Sequence, residues 1–319
     1  MLVQILILLA GLALILFGAD WLVDGSSAIA RKAGVSEFVI GLTIVGFGTS
    51  CPELVVSLTG AIKGISDISI GNVVGSNIFN TLLILGVTAA IMPVAITRNN
   101  KLRDIPIGLI VTMLLIVCGM SRTLFGLGRC DSLSRIEGIV FLFVFATYLF
   151  YCFKFDEGSE EGEVSEKSLK LWQAISLVAL GLAGLIVGGR LFVNSATAIA
   201  RLAGVSDKFI AITILAGGTS LPELATCAVA AAKGKGQLAL GNILGSNVFN
   251  ILLILGTSAL VTPLSFNGMD FVDIGMLLLS ACILWLWTYT GHKDRIDRWE
   301  GWVMILTFAA YMAWLIMKL

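Results

Sequence analysis

"GFGTSCPELVVS", Gly46 to Ser57, sets a glutamate beside a proline inside an otherwise apolar stretch. "AGGTSLPELATC", Ala216 to Cys227, does the same thing 170 residues later. That offset also carries "SSAIARKAGVS" (Ser26 to Ser36) onto "ATAIARLAGVS" (Ala196 to Ser206), "GNVVGSNIFNTLLILG" (Gly71 to Gly86) onto "GNILGSNVFNILLILG" (Gly241 to Gly256), and Pro93 onto Pro263. A constant offset across segments this long marks a true internal repeat rather than shared composition.

The surroundings of the two stretches decide the fold class. The chain has 319 residues, 57% of them hydrophobic and only 13% charged, with a mean hydropathy of +0.97. A soluble domain carries about a quarter charged residues. Apolar runs of roughly 20 residues recur along the chain, the length that crosses a bilayer as a helix. They lack the alternation of barrel strands. The expected fold is an all-α integral membrane protein with ten transmembrane helices, at approximately 2–22, 38–62, 68–92, 105–121, 135–154, 171–193, 208–232, 238–262, 271–290 and 300–317. The first apolar segment has no basic n-region and no small-residue cleavage site, so it reads as a retained span.

Five spans fall in each half: a first repeat at 1–154, an acidic linker at 155–169 containing "FDEGSEEGEVSEKS", and a second repeat at 170–319. An odd number of spans makes the second half enter from the opposite side, which gives two inverted repeats with broken helices at the prolines. Lys plus Arg equals Asp plus Glu at 21 each, so net charge gives no sign of a nucleic-acid partner. The side richer in basic residues, with Arg31, Lys32, Arg98, Lys101, Arg103, Lys233 and Lys235 among them, is expected to be cytoplasmic. Both termini then lie outside and the linker inside, in the cell (inner) membrane. The six cysteines show no C-x-x-C spacing and read as small hydrophobes.

A carboxylate within a membrane span is costly and points to function. No Lys or Arg falls within the second, third, seventh and eighth spans between their ends. Glu53 and Glu223 therefore have each other and no internal cation, and two like charges repel. A divalent cation resolves the conflict. Pro52 and Pro222 break their helices, and the freed carbonyls survive at that depth only where they line a cavity or an ion site. Thr49, Ser50, Thr219 and Ser220 add hydroxyls, giving a hard-oxygen set of the kind Ca2+ prefers. The sole histidine, His292, lies in the polar "TGHKDRIDRW", which argues against zinc or copper. In "GSNIFN" and "GSNVFN", Ser76 with Asn80 and Ser246 with Asn250 are four apart and share a helix face, completing an oxygen cage. Asn77 and Asn247 are expected to point elsewhere and to act as interhelical glue, with Gly71, Gly75, Gly241 and Gly245 allowing close approach. Duplicated oxygen sets about a pseudo-two-fold axis are the construction of a secondary transporter.

The paired "GTSCPE"/"GTSLPE" and "GNVVGSNIFN"/"GNILGSNVFN" segments resemble the two alpha-repeats of the calcium/cation antiporter superfamily, and are most similar to those of prokaryotic sodium/calcium exchangers. The resemblance places alpha-repeats at about 38–92 and 208–262. It implies electrochemical exchange of Ca2+ against Na+, with neither ATP nor another cofactor. The duplicated construction implies alternating access, and a cage with two carboxylates and amides at 80 and 250 implies electrogenic exchange in which Ca2+ is exported. Small cations and the bilayer are the implied partners, with no nucleic acid and no obligate protein partner. It further implies that Glu53 and Glu223, with the carbonyls of Thr49 and Thr219, hold Ca2+. Ser50, Ser76, Ser220 and Ser246, with the carbonyls of Gly46 and Ala216, would line Na+ sites, and Asn80 and Asn250 complete the centre. Some members carry aspartate where this chain has Asn250. The first and sixth spans, with Gly11, Gly18, Gly181, Gly184 and Gly188, would be sliding gate helices. A proton/calcium antiporter or a K+-dependent Na+/Ca2+ antiporter is the alternative on the same fold, and a cation channel a more distant one. An intramembrane enzyme is disfavoured: there is no G-x-S-x-G, no H-E-x-x-H and no second histidine.

Overall fold

A computed structural model describes residues 1–126, 130–156, 169–204, 210, 214, 216–266, 268–291 and 294–318, with Ala216 described by its backbone alone. Eleven principal helices organise them: α1 Leu2–Ala33, α2 Glu37–Thr49, α3 Cys51–Ile62, α4 Ser66–Ile91, α5 Asn100–Gly119, α6 Arg135–Lys154, α7 Leu171–Leu202, α8 Leu221–Ala232, α9 Gly236–Val261, α10 Phe271–Trp287 and α11 Arg298–Met317. Among the described residues seven (α1, α4, α5, α6, α7, α9 and α11) are long and apolar enough to cross a membrane. The bent pair α2–α3 makes an eighth candidate, and α8 and α10 are shorter apolar helices. Part of the seventh predicted span, 208–232, lies outside the described residues.

Helices α1 and α7 outrun the sequence expectation. Each has 32 residues, about 48 Å at 1.5 Å per residue, against a hydrocarbon core of about 30 Å. The polar residues that end the apolar run of α1 do not end the helix, because Ser26, Ser27, Ala28 and Ala30 are buried by packing. Gly34 ends it instead, in the left-handed conformation at φ 67° that only glycine adopts freely. The two long helices run antiparallel in backbone contact. A Cβ on Gly18 would lie 2.8 Å from the Gly181 carbonyl, one on Gly181 2.7 Å from the Gly18 carbonyl, and one on Gly11 2.9 Å from the Gly188 carbonyl. Gly11, Gly18 and Gly25 are seven apart, so they fall on one stripe of α1, and small-residue stripes are how apolar helices approach closely without a hydrophobic drive.

The halves interlock through matching contacts. Gly138 of α6 abuts the Gly256 carbonyl of α9, and Gly301 of α11 abuts the Gly86 carbonyl of α4; Gly86 and Gly256 are 170 apart. Two short strand pairs repeat the pattern. Strand β1 Val94–Ala95 pairs antiparallel with β4 Arg295–Ile296, and β2 Ser132–Leu133 with β3 Leu264–Ser265. Each pair joins one half to the other, and α5 separates β1 from β2, so the pairs clip opposite ends of the bundle. At the β1–β4 end, Asp156 accepts from the Ser36 amide at 2.8 Å and Arg103 donates to the Phe155 carbonyl at 2.9 Å. The flanks of the acidic segment are thus gathered at that end. Helices α4 and α9 are the central spans. The outer helices turn apolar side chains such as Phe17, Phe143, Trp302 and Leu306 outward, where lipid tails rather than water match them.

Candidate cation site

The site begins with two helix breaks. Between α2 and α3 the chain turns at Ser50 (φ −83°, ψ 4°) and the two helices meet at 49°. Pro52 is the second residue of α3, a position whose N–H has no helical partner to lose. In the second half Thr219 and Ser220 form the turn, Ser220 has φ −92° and ψ 9°, and Pro222 is again second in its helix, α8. Each break leaves a helix N-terminus with its glutamate as third residue, where the free amides and the helix dipole favour negative charge. Glycines bring α2 onto α9: a side chain on Gly41, Gly241 or Gly245 would overlap the carbonyl oxygens of Leu238, Phe38 and Leu42 respectively. By the 170-residue correspondence the partners of Gly71 and Gly75 fall at 208 and 212, outside the described residues.

Glu53 and Glu223 are 1% and 2% exposed. Each is gripped by the other half's serine. Ser220 Oγ donates to Glu53 Oε1 at 3.0 Å and Ser50 Oγ to Glu223 Oε1 at 3.2 Å, while Ser220 Oγ and Ser76 Oγ are 3.3 Å apart. Ser246 Oγ reaches the Gly46 carbonyl at 3.5 Å. The remaining acceptors are the telling ones. Glu53 Oε2, Glu223 Oε2, Asn80 Oδ1 and Asn250 Oδ1 are all buried and have no hydrogen-bond partner among the described residues. An unsatisfied buried polar group costs about 1–3 kcal/mol, and four such acceptors, two from each half, call for a ligand that accepts lone pairs. Carboxylate and amide oxygens are hard donors of the kind Ca2+ takes. Among the described residues no group of three or more His, Cys, Asp or Glu side chains could hold a metal, so amide, hydroxyl and carbonyl oxygens must supply the rest of any shell.

Three features were not legible in the sequence. Asn80 and Asn250 each stand second in a π-helical turn, Phe79–Ile84 and Phe249–Leu255, a rare geometry that clusters at functional sites. Asn77 and Asn247 do not point away. Asn80 Nδ2 donates to Asn247 Oδ1 at 3.2 Å and Asn250 Nδ2 to Asn77 Oδ1 at 2.9 Å. They join α4 to α9, as the glue reading expected, but they do so by holding the cage amides. Spacing along one helix misplaced them because their partners lie on the other half. Finally, Asn72 Nδ2 donates to the Glu53 carbonyl at 3.2 Å and to Ser57 Oγ at 2.9 Å. Its counterpart Asn242 accepts from Thr49 Oγ1 at 3.2 Å and donates to Cys227 Sγ at 3.2 Å. The recurrence of these asparagines in both copies was the available signal. Thr49 Oγ1 donates to the Val45 carbonyl at 3.0 Å, and Thr219 Oγ1 is buried without a partner among the described residues.

Known proteins share this plan. The sequence profile of the family described as "Sodium/calcium exchanger protein" matches residues 3–154 and 173–317. The sodium/calcium exchanger MaX1 of Methanosarcina acetivorans is 36% identical over 344 residues, covering 97% of this chain and 97% of that protein. The inner membrane protein YrbG of Escherichia coli is 34% identical, covering 99% and 97%. A solved structure of the sodium-calcium exchanger NCX_Mj, soaked with Na+ and Sr2+, superposes with a TM-score of 0.84 at 34% identity, over 98% of each chain. The chain belongs to the sodium/calcium exchanger family of membrane transporters.

Proposed function

We propose that this protein is a Na+/Ca2+ antiporter working by alternating access, with ten spans arranged as two inverted five-span repeats (1–154 and 170–319) around one central cage. The observation that carries the reading is the set of four orphaned oxygens, one carboxylate and one amide from each half. Ca2+ sits between Glu53 and Glu223, with Asn80, Asn250 and the carbonyls of Thr49 and Thr219. Na+ occupies flanking positions formed by Ser50, Ser76, Ser220 and Ser246 with the carbonyls of Gly46 and Ala216. Both ions draw on the same two carboxylates, so one load displaces the other and the cage crosses the barrier only when filled. The protein lies in the cell (inner) membrane with both termini outside and the linker at 155–169 cytoplasmic, and exports Ca2+ as Na+ enters. Purified protein in liposomes, with Na+, K+ and pH gradients imposed one at a time, tests this. Ca2+ uptake should follow an opposing Na+ gradient alone. Uptake driven by pH would make it a proton antiporter, an added requirement for K+ would make it a K+-dependent exchanger, and Ca2+ movement without any counter-ion would make it a channel.

The α1–α7 pair is the natural moving element, since its two members are fused by backbone contact. One end of it carries an electrostatic tie. Lys233 Nζ, just past α8, lies 2.6 Å from Asp20 and 2.7 Å from Asp24 of α1. Desolvation alone would lower the Lys233 ammonium pKa, but the two carboxylates outweigh it and hold the group above its ordinary value. The 170-residue counterparts are Lys63, Arg190 and Asn194, with no carboxylate among them. The counterpart positions thus offer no matching attraction, and the tie favours the state in which α1 lies against the α8–α9 connection. A partly exposed pair is worth up to about 1 kcal/mol, about fivefold in population. Lys233→Glu should therefore change the ratio of Ca2+ half-saturation constants at the two membrane faces several-fold. A ratio altered less than twofold would rule the tie out.

A further inference from the structure

We propose that Asn77 and Asn247 are positioning residues that decide which end of each cage amide faces the cation; this rests on the cage reading above. An asparagine side chain ends in an oxygen and an NH2 of nearly equal shape. Rotation by half a turn would offer a cation two N–H donors where it needs an acceptor, and packing alone opposes that rotation weakly. A hydrogen bond to the NH2 opposes it strongly. Each cage amide has one, and each comes from the other half of the molecule. Asn77 on α4 receives the Asn250 NH2 at 2.9 Å, and Asn247 on α9 receives the Asn80 NH2 at 3.2 Å.

The orienting residues are themselves oriented. The NH2 of Asn247 donates to Thr81 Oγ1 at 2.9 Å, and that of Asn77 to the Asn247 main-chain carbonyl at 3.1 Å. The Asn77 chain ends on a backbone carbonyl, which only accepts, so the flipped Asn77 is excluded; the Asn247 chain ends on the Thr81 hydroxyl, which accepts here but can also donate, so Asn247 is held less strictly. With Asn77 fixed and Asn247 placed in this way, their Oδ1 atoms meet the cage NH2 groups, and the unpaired atoms left on Asn80 and Asn250 are their oxygens. A carboxylate at 80 or 250 would need none of this, because both its terminal atoms are oxygens. The dependence on Asn77 is thus specific to an amide at 250, and the dependence on Asn247 to an amide at 80.

That difference supplies the test. Ca2+ affinity is measured by calorimetry on the purified full chain for Asn77→Ala, Asn250→Asp and the double variant. Loss of a group that orients a metal ligand typically costs 10–100-fold in affinity. Asn77→Ala should show that loss in the native background and less than threefold in the Asn250→Asp background. The mirror set, Asn247→Ala with and without Asn80→Asp, should behave the same way and decides the matter if Asn77→Ala does not fold. Equal losses in both backgrounds would make the orienting residues merely structural, and no loss in the native background would overturn the proposal outright. Asn250→Ala separates the two levels: unchanged Ca2+ affinity there would sink the cage reading itself, whereas a lowered affinity with an intact Asn77→Ala variant would sink only the orienting role.

Discussion

Glu53→Gln and Glu223→Gln should each abolish Ca2+ transport, by more than 100-fold, while the folded protein inserts normally. The cage offers two carboxylates to a doubly charged ion, and the amides and hydroxyls around them add no charge. At an effective dielectric of about 20, unit charges 4 Å apart interact by about 4 kcal/mol, and a divalent ion doubles that. A net loss of only about 3 kcal/mol already exceeds 100-fold. The substitution should not harm the fold. Glutamine retains an acceptor for Ser220 or Ser50, and removing one of two unpaired like charges relieves repulsion. The two effects separate in a thermal-unfolding experiment. Native protein at a Ca2+ concentration 100 times its dissociation constant gains about 2.7 kcal/mol. The variants should lose that Ca2+-dependent gain yet unfold no earlier than native protein without Ca2+. Either variant exchanging Ca2+ at an appreciable fraction of the native rate would remove the glutamates from the ion pathway.

How far the sequence led can be judged residue by residue. The break at Pro52 and the buried pair Glu53 and Glu223 stood out because membrane spans tolerate few polar groups, and because each feature occurs twice. The membership of the family was legible for the same reason: the doubled motif spans both halves of the chain. Local periodicity failed where tertiary contact overrides it. The long ends of α1 and α7 carry serines and charged residues that look like loop, yet they stay helical because the other helices bury one side. The π turns at Asn80 and Asn250 lie in apolar runs, FNTLLI and FNILLIL, where a shift in helical phase changes no hydrophobic pattern that the sequence could show. Asn77 and Asn247 were misjudged because one helix alone sets them about 100° from their serine neighbours; only the opposite half shows what they hold. The strand pairs β1–β4 and β2–β3, two residues on each side, are too short to leave any pattern.

Exchange should be electrogenic. Positions 80 and 250 are both amides, so the fixed charge of the cage is that of Glu53 and Glu223 alone. One Ca2+ would balance the two carboxylates and cross as a neutral complex. A Na+-loaded form would have more places than charges: Ser50, Ser76, Ser220 and Ser246 would bring four hydroxyls, with the carbonyls freed at the two helix breaks beside them. Three Na+ in that space leave one positive charge in transit. Carrying one charge through 100 mV is worth about 2.3 kcal/mol, about 50-fold in the Ca2+ gradient that a fixed Na+ gradient can hold. An inside-negative potential then drives Na+ inward and Ca2+ outward. Clamping liposome potential with K+ and valinomycin at constant Na+ gradient, once K+ is shown not to be transported, measures the effect directly. Initial Ca2+ flux should rise steeply with potentials that draw Na+ to the opposite face. A flux indifferent to potential would mean two Na+ per Ca2+, filling the two carboxylates and no more. In that case the amide at Asn250 is the residue to test next, since Asn250→Asp adds the one further charge that a third Na+ would need for a neutral crossing.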